Sequence, residues 1–276
     1  MKIFGTCLLK NEADIVEETL SYAVTWCDHI IIDDNGSEDG TWEIVREMAK
    51  TYPQIIPWRS KAQAYSEALR GDPFRAYRHL SSKGDWWAKL DSDERYIDEP
   101  RTFLSKVPRW HHVVVAAQCQ YQFTEADLRA WEDWQRTGQK PPPAHERLHF
   151  YRCDWAEIRF FRHRPRLVWP ESASWPVHMG LIHPRRIRNR HLQYRSPQQM
   201  QLRLDTRQQA IRQGALTFDH QRDLHSWQQM IVESSTCEDD RSPNAWHINE
   251  SNLPPLLEKP LHRAVKLFMH GTGVWA

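Results

Sequence analysis

Over the first ninety residues short apolar runs alternate with amphipathic stretches, and this alternation leaves the chain few folds. Ile3-Phe4-Gly5-Thr6-Cys7-Leu8-Leu9 reads as a buried strand. A helix follows, with Asn11 as its cap, Asp14 in its first turn, and Ile15, Val16, Leu20, Ala23 and Val24 as its apolar stripe. His29–Asp33 is a second strand, and Asp34-Asn35-Gly36-Ser37 is a turn. Asp39-Gly40-Thr41 opens a second helix carrying Trp42, Val45, Met48 and Ala49. Ile55–Trp58 is a short third strand, residues 73–82 are helical, and Trp86–Asp91 is a fourth strand. Alternation of this kind predicts a mostly parallel sheet with helices on both faces.

Beyond residue 100 the pattern is less regular. Val113–Ala117 is a buried strand, 124–137 a short helix, and 158–195 short strands and loops. Ser196-Pro197-Gln198-Gln199 is a helix start, with a Ser cap and Pro at the first position. Met200, Leu204 and Ile211 give that helix an apolar face, and Gly214 is placed to stop it. Residues 219–256 are polar and weakly periodic, and no internal repeat is visible.

Composition narrows the class further. The 276 residues carry 37 Lys+Arg and 36 Asp+Glu, a formal charge of +1, which excludes a globally basic nucleic-acid coat and an acidic tail protein. No uncharged apolar run approaches the roughly 18 residues of a membrane span. The start, Met1–Gly5, runs directly into a strand without a signal-peptide apolar region, so a cytoplasmic protein is expected. The five cysteines are scattered, odd in number and without a CxxC pair, which reads as isolated reduced thiols. Fourteen tryptophans supply core and groove walls, and their faces can also stack on sugars or bases.

In an open parallel sheet, ligands bind beyond the carboxyl ends of the strands. Three strand ends are polar here: Lys10-Asn11-Glu12, Asp33-Asp34-Asn35-Gly36-Ser37, and Asp91-Ser92-Asp93-Glu94. Singly, each reads as a cap, a turn or a solvated loop. Jointly they predict a carboxylate-rich pocket on one edge. Asp91 and Asp93 alternate where a strand ends, a pattern suited to a hard cation that completes its shell with phosphate oxygens.

These segments, with Gly84-Asp85-Trp86 leading to Leu90–Glu94, resemble family 2 glycosyltransferases of the GT-A fold in order and spacing over about the first hundred residues. The resemblance implies an α/β, GT-A type nucleotide-binding sheet that is mixed but mostly parallel. An irregular α+β acceptor half and a helical C-terminus follow it. Residues 1–100 would form the nucleotide-sugar half, 101–215 the acceptor side, and 216–276 a C-terminal extension. It further implies a nucleoside-diphosphate sugar donor, Mn²⁺ or Mg²⁺, and usually inversion at the anomeric carbon. The donor would lie over Leu9, Lys10, Asn11, Glu12, Asp34, Asn35, Ser37, Asp91 and Ser92, with Glu12 and Asp34 on ribose and base. Arg75, eleven residues before Trp86, would stand near the donor. Asp91 would face the ribose or the metal, and Asp93 would bind the metal.

The second half resembles the family more faintly. Arg159-Phe160-Phe161-Arg162 matches its "LFR" strand, and His191-Leu192-Gln193-Tyr194-Arg195-Ser196 its histidine-plus-"YRS" segment, which makes His191 a candidate third metal ligand. The expected His-Glu pair is broken, since this chain has Val177-His178-Met179. Glu171 and His178 are therefore the candidate bases, and Glu171 is preferred as the single acid between 159 and 195. Nine arginines share that stretch. They suggest an anionic acceptor, whether a phosphorylated lipid carrier, an acidic glycan or a modified base in DNA, beside the plain reading of a solvated basic face. A nucleotidyltransferase and a non-catalytic nucleotide- or glycan-binding module on a degenerate GT-A scaffold are the alternatives.

Overall fold

The computed structural model describes residues 1–212 and 223–275. The apolar runs become strands in the expected order: β1 (Ile3–Leu9), β2 (His29–Asp34), β3 (Ile55–Ser60) and β4 (Trp86–Leu90). Between them lie α1 (Val16–Ala23), α2 (Thr41–Thr51) and α3 (Gly71–Tyr77). The chain continues through β5 (Glu94–Tyr96), α4 (Pro100–Ser105), β6 (Val113–Tyr121), α5 (Glu125–Thr137), α6 (Ala144–Arg147), β7 (Phe150–Arg162), β8 (Ile187–His191) and α7 (Pro197–Arg212). Last come β9 (Glu238–Asp239) and α8 (Pro260–Gly271). Gly214, expected to stop α7, lies outside the described residues.

The nine strands of the described residues join one mixed sheet in the order β3-β2-β1-β4-β7-β6-β8-β5, with β9 pairing β7. The half from β3 to β4 is parallel throughout. Antiparallel pairing enters with β7, which lies between β4 and β6. One face of the parallel half is covered by Val16 and Leu20 of α1, Val45 and Met48 of α2 and Leu104 of α4. The other packs Phe4, Ile31 and Trp87 against Phe74 of α3 and Leu167 and Trp169. Buried strands read as apolar runs because both of their faces are covered.

Two expectations change. Asn11 does not cap α1, which begins five residues later at Val16; its backbone is left-handed (φ 55°), a conformation asparagine tolerates. In the region 158–195, read as short strands and loops, the first strand is the end of the longer, thirteen-residue β7, and loops and the short β8 follow. That strand mixes charged and apolar residues and so hides its period. Among the described residues no helix is long and apolar enough to cross a membrane.

Candidate active site

The strands of the parallel half end together, so the turns after β1, β2 and β4 share one edge, the upper edge. Asn11 ties the first two turns. Its N–H donates to Ser37 Oγ at 2.9 Å, and its Oδ1 accepts from Glu38 N at 3.0 Å. Ser37 in turn donates to Asp34 through Oγ (2.5 Å) and N (3.1 Å), and Ser60 Oγ donates to Asp34 at 2.6 Å. Asn35 Oδ1 accepts from Gln63 N at 2.9 Å. Gly36 is required twice over: φ is +72°, and a Cβ would lie 2.6 Å from that of Ala62. Asp34 is fully buried, so it organises the loop while exposed Lys10 and half-buried Asn11, Gly36 and Ser37 front the edge.

At the end of β4, Lys89 and Asp91 point to one face because strand side chains alternate. Asp91 Oδ1 meets Arg70 Nη2 at 2.5 Å and Oδ2 meets Arg159 Nη1 at 2.7 Å. Burial alone would raise its pKa, but the two guanidiniums outweigh that and hold the carboxyl well below the usual range. Arg159 occupies a β-bulge: Val114 pairs with Phe160 and Val115 with Ile158, leaving Arg159 as the extra residue. Bulges re-aim side chains in this way. Its guanidinium also reaches Glu94 at 2.5 Å and Glu157 at 3.3 Å. Lys89 pairs with Glu157 and, at 3.1 Å, with Glu67. Glu94 receives Gln118 Nε2 at 2.7 Å on Oε1, while its buried Oε2 has no hydrogen-bond partner among the described residues. Burial pushes this carboxyl well above its ordinary pKa.

Asp93 belongs to a second cluster. Its Oδ2 lies 3.3 Å from His191 Nε2, 3.6 Å from Arg203 Nη1 and 3.7 Å from Arg195 Nη1. The register places His191 there, since β5 and β8 pair Glu94 with His191, and Leu192 N donates to Asp93 O at 2.7 Å. Arg195 is fully buried and spans three segments, donating to Glu12 at 2.6 Å and forking onto Asp14 at 2.8 Å. Burial raises the Glu12 pKa to about 7 against the pull of Arg195.

Among the described residues no group of three or more His, Cys, Asp or Glu side chains gathers into a ready-made metal site. The chemistry of the Asp93–His191 pair still fits a divalent ion. A carboxylate and an imidazole whose buried Nδ1 has no hydrogen-bond partner supply two donors, and such ions commonly take the rest from substrate phosphates and water. Asp91 stands apart from this set, because both of its oxygens are engaged by arginines.

The remaining candidate residues take these positions. Arg75 is held by Asp72 and by the Trp169 carbonyl at 3.1 Å; Arg70, five residues earlier, is the arginine of this segment that meets Asp91. His178 lies at the opposite, lower edge. Its ring stacks on Trp275 at 4.1 Å and its carbonyl accepts from Arg164, which follows the β7 end that pairs with the start of β4. Glu171 is exposed near the tip of the hairpin closed by Val168 and Val177, whose Trp169 packs on Phe74 of α3 and whose Trp175 lies 5.5 Å from Lys89 Nζ. Ser92 is buried in the turn between the two aspartates.

The arginine stretch is largely consumed internally. Arg162 donates to the carbonyls of Val107 and His111, Arg186 pairs with Glu250, Arg188 with Asp98, and Arg190 with Asp240. Arg159 and Arg195 are also paired with carboxylates, whereas Arg164 and Arg166 donate only to carbonyls and Arg185 is exposed, so the local charge excess is offset in part. Sequence reading passed over Arg70, Lys89, Glu94, Glu157 and Arg203 as site residues. The two-residue spacing of Lys89 with Asp91, and of Glu157 with Arg159, was a visible sign that charges share a strand face.

The sequence profile described as Glycosyl transferase family 2 matches residues 9–166, more than half of the chain, and the chain belongs to that family. Its parallel half and polar upper edge are those of the GT-A fold. No curated protein matches it. Among solved structures it is similar to the mannosyltransferase PcManGT from Pyrobaculum calidifontis, solved in complex with GDP-Man and Mn²⁺. Identity is 15%, coverage 82% of this chain and 65% of that one, and the TM-score 0.39. TarS residues 1–349 from S. aureus, in complex with UDP-GlcNAc, is 15% identical, with 54% and 39% of the two chains covered and a TM-score of 0.35. Mannosyl-3-phosphoglycerate synthase from Rubrobacter xylanophilus is 20% identical over 44% of this chain and 41% of that one, with a TM-score of 0.26. The chain thus spans less than two thirds of the length of each.

Proposed function

We propose that this chain transfers a sugar from a nucleoside-diphosphate donor to a hydroxyl acceptor, with inversion, at the upper edge of its sheet. One observation carries the reading: family membership predicts donor chemistry at this edge, and here Asp93 stands against His191, beside the turns that Asn11 and Ser37 hold together. Asp93 and His191 would hold Mn²⁺ or Mg²⁺. When bound, the ion would neutralise charge on the departing diphosphate. Asp91, fixed in the ionised form by Arg70 and Arg159, is suited to accept hydrogen bonds from donor hydroxyls.

For the base, Glu171 remains the proposed residue: it is an exposed carboxylate on the hairpin whose Trp175 lies beside Lys89. Glu67 is closer to Asp91 but ill-suited: burial raises its pKa, yet Arg70 and Lys89 bring it down to about 2, where it is a weak base. With most of its arginines engaged internally, the 159–195 stretch gives little argument for an anionic acceptor over a neutral glycan or lipid-linked one.

A panel of nucleotide sugars, each with Mn²⁺, Mg²⁺ or chelator, tests the reading by thermal shift and by nucleoside diphosphate release. One donor should stabilise the chain only with metal, by about 2.7 kcal/mol at a hundredfold excess over Kd. Pyrophosphate release from a nucleoside triphosphate would instead identify a nucleotidyltransferase. Arg70→Ala should raise the donor Kd at least tenfold and Arg75→Ala change it less than threefold, a loss comparable to one charge-assisted hydrogen bond of about 1.5–3 kcal/mol. The reverse order would return the donor contact to Arg75.

A further inference from the structure

We propose that the lower edge of the molecule, opposite Asp91 and Asp93, docks on an anionic lipid surface through α8. The helix is packed inside out. Its polar side faces the protein: Lys266 donates to the Gly180 carbonyl at 3.0 Å and to Glu258 at 2.7 Å, Arg263 lies 4.0 Å from Glu258, and the His270 ring is 5.2 Å from that of His112. Its apolar side faces solvent. Leu261 is 73% exposed, Phe268 67%, Leu267 52% and Val265 44%, and α8 buries no residue at all. Leu261, Val265 and Phe268 follow the i, i+4, i+7 spacing of one helix face, the spacing that normally points into a core. Val274, which follows α8, and Trp110 are each 62% exposed; Trp110 directly precedes the His111–His112 turn against which α8 packs. An exposed apolar helix face of this kind marks an interaction site.

The charges beside it specify the occupant. Lys259 and His262, at the start of α8, are exposed, and so are Lys106 and Arg109 in the segment that leads to Trp110 and the His111–His112 turn. No acidic residue occurs between 100 and 124 or between 259 and 276, and the nearest, Glu258, is already paired with Lys266. An apolar stripe of Leu, Val and Phe with a tryptophan and a basic margin matches the requirements of the lipid interface: apolar groups enter the acyl boundary, and lysines and arginines meet anionic headgroups. A second copy of this chain fits less well, since apposed faces would bring two basic margins together. Docked this way, the molecule presents its Asp91–Asp93 edge away from the bilayer.

The test is co-sedimentation of the full chain with phosphatidylcholine vesicles with and without phosphatidylglycerol. Binding is expected to the anionic vesicles only, and to weaken at high salt as surface charges are screened. Leu261→Ser with Phe268→Ser should lower the partition coefficient at least about tenfold, the scale of two lost apolar insertions. Lys259→Glu with Arg109→Glu should lower it on anionic vesicles. All four positions are exposed, so melting temperature and donor hydrolysis should stay at wild-type values in both pairs. Absent vesicle binding, or binding unchanged by the serine pair, overturns the proposal. So does a concentration-dependent dimer that the serine pair dissolves, because the face would then belong to a second copy.

Discussion

Asp93→Asn is expected to abolish metal-dependent donor binding and to lower turnover at least about 10²–10³-fold, the cost of removing one electrostatic element from a preorganised site. The substitution keeps the shape of the side chain and removes only its charge. Asp93 is the carboxylate whose oxygen stands 3.3 Å from His191. Burial would raise its pKa, but His191, Arg203 and Arg195 outweigh that and hold it ionised. Arg195 keeps Glu12 and Asp14 as partners in the variant, so the buried guanidinium is not stranded. A stability change of about 1.5–3 kcal/mol is then expected, far less than unfolding. Calorimetric titration with Mn²⁺ and a nucleoside diphosphate reads the binding loss directly. Wild-type turnover in either metal would remove Asp93 from the site.

The parts of this arrangement that sequence could show are the local ones. The strands β1, β2 and β4 are legible because each is a short apolar run ended by polar residues, and their common direction follows from the helices between them. That rule alone places Asn11, Asp34, Asp91 and Asp93 on one edge. The role of Asp34 was less legible: an acid opening a turn looks available to a ligand, yet Ser37 and Ser60 occupy its oxygens. Whether a side chain faces the cleft or its own loop depends on a few ångströms that spacing does not encode.

The remainder of the site depends on pairings distant in sequence. Arg159 meets Asp91 across 68 positions, and Arg195 meets Glu12 across 183. No periodicity links such positions. Arg159 reaches Asp91 from the bulge in β7, and a bulge leaves almost no mark in a strand of mixed charge. The arginine excess of 159–195 was visible as composition, but its use was not. Carboxylates at 94, 98, 240 and 250, all outside the stretch, account for much of it.

Arg159→Met is expected to cost about 3–5 kcal/mol at pH 8, because it removes the cation from a buried network and leaves carboxylates facing one another. The guanidinium is almost fully enclosed and serves Asp91, Glu94 and Glu157 together. The pH dependence follows from the direction of each shift. In the wild type, Asp91 is held below its ordinary pKa, so its stabilising contribution is present above the unfolded value and lost as pH falls. In the variant, Asp91 loses one of its two guanidinium partners and Glu94 its principal one, so their folded pKa values move up and the penalty grows as pH rises. The deficit relative to wild type should therefore be smaller at pH 5 than at pH 8. Adding Glu94→Gln should recover part of it, since the pair shares one network and its effects are not additive. Arg159→Lys should fall between, keeping a charge but losing the fork that reaches several carboxylates at once. Urea denaturation at the two pH values measures all four proteins. A deficit that does not change with pH, or no recovery on adding Glu94→Gln, would show that Arg159 contributes packing rather than charge, and that Asp91 is kept ionised by its other cationic neighbours, Arg70 first.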